Sequence, residues 1–194
     1  MNSIFHENGI IVQDLNDAFN CQNLGSYIGV GRYISWPLSR KTDDLSKRLS
    51  VEAEEKWFSY YYGESYALSV VPSIEYIERY IEVCNRQGIL VRLLYIQSDR
   101  EVPKWEGTEL RLKLLGYEYA SSQDFFSVLF DDLYGENVPS MLTKYKSVLN
   151  SNGLFSNEAD LLTYIEDRNL AIEKNFNLEP NGDFCIYRVS LVMD

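Results

Sequence analysis

Glu109 to Tyr119 reads ELRLKLLGYEY, and its alternation decides the fold class. Leu110, Leu112 and Leu114 fall on one face of an extended chain, with Glu109, Arg111 and Lys113 on the other, the two-residue period of a strand. After Leu114 the parity inverts, and Leu115, Tyr117 and Tyr119 become the bulky set. A one-residue shift carries every side chain to the opposite face, so the inversion predicts a β-bulge near Gly116.

Upstream, Ile89 to Ile96 (ILVRLLYI) is nearly all apolar, as a strand covered on both faces must be. Tyr66 to Val71 alternates as a strand, and Pro72-Ser73 stops it and opens a helix. Ile74, Ile77, Ile81 and Cys84 lie on one stripe of that helix, with Glu75–Arg79 and Glu82–Arg86 on its wet side. Strand, helix and strand at this spacing predict a right-handed crossover with parallel pairing. Nearer the start, Gly9 to Val12 is a short strand, Ser26 to Trp36 is β-rich, and Asp43 to Tyr62 is helical.

Downstream, Phe125 to Tyr134 (FFSVLFDDLY) stays open between strand and short helix. Pro139 to Asn152 reads as a helix with Met141, Leu142, Tyr145, Val148 and Leu149 on its apolar face. Ser156 or Asn157 caps a further helix to about Asn175, buried through Leu162, Ile165 and Ile172. Asn181-Gly182 is a turn before a last strand, Phe184 to Val192. These elements predict a single α+β domain over residues 1–194: a mixed β-sheet with helices packed mainly on one face. Residues 1–25 are expected to form a loosely attached N-terminal segment.

Composition restricts the function. The 194 residues include 29 Asp plus Glu against 18 Lys plus Arg, a net charge of −11. Such a chain is a poor ligand for phosphate backbones or an anionic membrane surface, which call for clustered Lys and Arg. No stretch of ~20 apolar residues is available to span a bilayer. Met1 to Ile10 lacks the basic start and apolar run of a secretory signal, and Cys21, Cys84 and Cys185 have no motif spacing. A cytoplasmic protein with reduced thiols is the expectation.

Catalytic motifs are scarce. Gly29-Val30-Gly31 begins like a dinucleotide loop, but Ile34 stands where the third glycine belongs. The single His6 offers one general base, and no Cys or His pair has zinc-ligand spacing, so neither cofactor nor metal is expected. Asp131, Asp132 and Glu136 form an acidic group that is either a solvated turn or the centre of a carboxylate-dependent, metal-assisted hydrolase. Trp57 with Tyr60, Tyr61 and Tyr62 cannot all point inward from one helix, so an aromatic surface is expected there. The partner-contact candidates are Trp57, Tyr61, Asp131, Asp132 and Glu136.

The stretch LLGYEYASSQDFFSVLFDDL (Leu114 to Leu133), followed by LNSNGLF (Leu149 to Phe155), resembles small cytosolic immunity proteins of bacterial polymorphic and contact-dependent toxin systems. In that group a strand like LLGYD, an aromatic pair followed by Ser, an acidic dipeptide and an LNxxGLF turn recur in this order. The likeness runs from Tyr66 to Phe155, and Glu118 stands where the group has Asp. The resemblance implies neutralisation of a cognate toxin domain by direct protein–protein binding, without catalysis. It brings no catalytic residues and fixes no oligomeric state.

Overall fold

The structure, a computed structural model, describes residues 4–14, 78, 81–82, 91–100, 109–121, 127–134, 138–174, 178 and 184–193. Its framework is a four-stranded sheet of β1 (His6–Asp14), β2 (Val91–Ser98), β3 (Leu112–Ser121) and β4 (Phe184–Val192), in the order β1-β2-β4-β3. Helix α1 (Val128–Tyr134), a 3-10 helix (Thr143–Ser147) and helix α2 (Glu158–Glu173) complete an α+β architecture.

β4 is central because FCIYRVSLV is apolar enough to be covered on both sides. Cys185, Tyr187 and Val189 face one core with Leu94, Ile96 and Ala120, while Ile186 faces the helical core beside Tyr119. β2 is also buried on both faces, as its near-continuous apolar run requires: Leu94 and Ile96 on one, Tyr95 on the other. The register of β3 on β4 shifts between Leu114 and Gly116, where the change of parity predicts the bulge.

Two expectations are corrected. Every described strand pair is antiparallel, and β1 and β4 occupy both edges of β2 over Leu94–Ser98. Tyr66–Val71, expected to pair in parallel with this strand, is outside the described residues. His6–Asp14 is a full strand of the sheet, not a loose segment, because Ile10 is fully buried and the backbone pairs along its whole length. Residues 15–25 are outside the described residues.

The second correction concerns Pro139 to Asn152, which closes through i→i+3 bonds as a 3-10 turn rather than as an α-helix. Leu142 and Tyr145, three residues apart, eclipse and share the buried face. Leu149 is then drawn into a bridge with Phe155, which ends the turn. The ambiguous FFSVLFDDLY stretch resolves as a bridge at Ser127 followed by α1. Further upstream, Glu78, Ile81 and Glu82 are helical, with the two acids exposed and Ile81 half-buried.

α2 begins where Asn157 caps it, its side chain accepting from the Asp160 N–H at 2.9 Å. The buried stripe is Leu161, Tyr164, Arg168 and Ala171, whereas Leu162, Ile165 and Ile172 are half-buried flanks. The inward face sits one residue earlier than apolarity alone implies, because Tyr164 and Arg168 carry their polar ends into the core.

Candidate functional site

The sequence candidates do not assemble into one site. Trp57, Tyr61 and Glu136 lie outside the described residues, and Asp131 is in α1 with its side chain outside them. Asp132 is corrected: it is 4% exposed, in the core, and so is closed to a partner. One turn of α1 explains this, since Leu129, Asp132 and Leu133 share its inward side.

Around Asp132 the structure builds a network that the sequence does not announce. Its Oδ2 accepts from the Tyr164 hydroxyl at 2.6 Å and from Arg168 Nε at 2.5 Å. Arg168 is fully buried, its guanidinium 5.4 Å from the Phe184 ring centroid and 6.0 Å from that of Tyr119. Burial pushes the Asp132 carboxyl above its ordinary value, against the opposing pull of Arg168 and Tyr164. Burial and the neighbouring carboxylate raise the Tyr164 phenol well above its ordinary value, so it remains a donor. With two donors on one carboxylate oxygen, the group works as a clamp between α1 and α2. A second link is exposed: Lys144 Nζ and the Tyr145 hydroxyl both reach Asp167 Oδ2 at 2.7 Å, and hold that carboxyl below its ordinary value.

The segments LLGYE and LNSNGLF meet in space. Tyr117 N–H donates to the Phe155 carbonyl at 2.8 Å, and Phe155 N–H returns a bond to Tyr117 at 3.0 Å. Asn150 fixes the turn: Nδ2 donates to the Leu115 carbonyl at 2.8 Å, and Oδ1 accepts from the N–H groups of Asn152 at 2.8 Å and Leu154 at 3.3 Å. LLGYE and LNSNGLF are thus one interlocked structural unit. Asn150→Ala is expected to lose about 2–3 kcal/mol in urea denaturation, since each net hydrogen bond contributes roughly 0.5–1.5 kcal/mol. A loss below about 0.5 kcal/mol would show that the turn holds without it.

Among the described residues, no group of three or more His, Cys, Asp or Glu is placed to hold a metal ion. No described helix is long and apolar enough to cross a membrane. The exposed surface instead offers carboxylates, including Glu166 and Glu173 on α2, and an apolar strip at Leu112 and Leu114 on β3. No family model matches the chain, and no curated protein or solved structure matches it either.

Proposed function

We propose that this chain is a cytoplasmic immunity protein that neutralises a cognate bacterial toxin domain by direct binding, without catalysis. The observation that carries the reading is the net charge of −11. An exterior of that sign steers and orients a cationic protein, and it repels nucleic acid and anionic lipid. The resemblance over Leu114 to Phe155 supplies the class of partner. Asp132 weighs against the hydrolase alternative, because its carboxylate is occupied by Arg168 and Tyr164 inside the fold.

Co-expression with the toxin encoded beside its gene tests the proposal. Cells carrying both are expected to grow, and the two proteins to co-purify. Continued killing with no complex would overturn it.

A further inference from the structure

The turn that locks onto β3 contains a reactive pair, Asn152-Gly153. A side-chain amide followed by glycine is open to attack by the next backbone nitrogen, because glycine has no Cβ to obstruct the approach. Ser151 is exposed and Asn152 and Gly153 are half-buried, so water and base reach them. Three hydrogen bonds hold the pair in place. Gly153 N–H donates to the Asn150 carbonyl at 2.9 Å, and Asn152 N–H donates to Asn150 Oδ1 at 2.8 Å. From outside the turn, Arg92 Nη1 donates to Asn152 Oδ1 at 3.3 Å. Asn150 therefore fixes the attacking nitrogen, and Arg92 fixes the amide that it would attack.

We infer that Asn152-Gly153 is a site of spontaneous deamidation and backbone rearrangement, held in check by Asn150 and Arg92. The Gly153 nitrogen gives its proton to base and bonds to Asn152 Cγ. The Cγ–Nδ2 bond breaks, and Nδ2 takes up a proton and leaves as ammonia. Water then opens the cyclic imide. Cleavage of the new N–Cγ bond yields aspartate, and cleavage of the original peptide bond yields isoaspartate. The first step breaks the Gly153–Asn150 bond, so it runs only from an opened turn. Its outcome is one-way. Isoaspartate lengthens the backbone by one carbon between the N–H groups of residues 152 and 154, both of which Asn150 Oδ1 holds. That cap cannot keep both bonds, and the turn loses its hold on β3. The inference is independent of toxin binding.

The test follows deamidation residue by residue, by peptide mapping and mass spectrometry of the full chain aged in mildly alkaline buffer, folded and in urea. Asn8-Gly9, in β1, is the internal reference for global unfolding. Asn152 is expected to convert in urea, and at least about tenfold more slowly in the folded chain, the protection that one or two net hydrogen bonds supply. Asn150→Ala, and Arg92→Met as a second variant acting from outside the turn, are expected to raise the folded-state rate at Asn152 and leave Asn8 unchanged. Aged wild-type protein should lose urea stability in step with conversion at Asn152. No conversion at Asn152 in urea would show that the pair is not a site. Equal rates folded and unfolded, or variants that leave Asn152 unchanged or accelerate Asn8 equally, would overturn the check by Asn150 and Arg92.

Discussion

Gly116→Ala is expected to destabilise the fold by more than about 3 kcal/mol, at the severe end for a single methyl group. A Cβ at this position would stand 2.5 Å from the Phe155 carbonyl oxygen and 2.8 Å from the Leu154 Cβ. The backbone there has φ of +150°, a conformation that disfavours any side chain. Relief cannot come from a rotamer, since the first obstacle is backbone. The Leu154–Phe155 segment would have to withdraw, breaking the paired Tyr117–Phe155 hydrogen bonds and exposing Leu154 and Phe155, both fully buried. Urea denaturation should show a large fall in midpoint, or no cooperative transition at all. A loss under about 1 kcal/mol would mean that the bulge and the turn are not locked together.

Arg168→Met carries the second large effect. Removing one member of a buried ion pair leaves the other charge uncompensated, at a cost of about 3–5 kcal/mol. Replacing the whole network is expected to behave differently. Asp132→Leu/Arg168→Met/Tyr164→Phe removes every polar group of the clamp and should recover most of the loss, because desolvating the ions costs about as much as their attraction returns. The single variant should also acquire a pH signature. The Asp132 carboxyl is already raised in the folded state by burial, and without Arg168 that effect is unopposed by its main counter-charge. A raised folded-state pKa favours the folded protein below the unfolded value and loses that contribution as pH rises through the folded value. The deficit of Arg168→Met relative to wild type should therefore be smallest in acid and grow toward neutral pH. A deficit independent of pH would place the effect in packing alone.

The sheet was legible where its pattern is local. The reversed parity at Leu114–Leu115 locates the bulge, the apolar run of β2 locates a strand buried on both faces, and Phe184 to Val192 is a strand over its full length. Pairing direction was not legible in the same way. The spacing of Tyr66 to Ile96 implies a crossover, but nothing in it reveals that β1 and β4 flank β2. The 3-10 turn was hidden because Leu142 and Tyr145 satisfy a helical period and a three-residue period equally well. Asp132 was misplaced for a related reason. An acidic dipeptide reads as solvated until its counter-charge is found, and Arg168 lies 36 residues away on another helix. Two signals could have found the clamp: Tyr164 and Arg168 fall four residues apart, and Leu129, Asp132 and Leu133 keep helical spacing.

The LLGYE and LNSNGLF segments are therefore architecture. LLGYE and LNSNGLF hold each other, and the acidic dipeptide contributes Asp132 to the core. What those motifs leave on the outside is the pair Leu112 and Leu114 on β3 and the exposed carboxylates of α2. The reading as an inhibitor joins that surface to the excess of negative charge.

Isothermal titration of the purified chain with the inactive toxin domain tests that reading most directly. Saturable binding at a fixed stoichiometry, with a dissociation constant of ~10⁻⁹ M or tighter that weakens with added salt, is the predicted result. The contradictory result is no heat with the toxin domain, together with substrate turnover by the purified chain that neutralising one carboxylate abolishes.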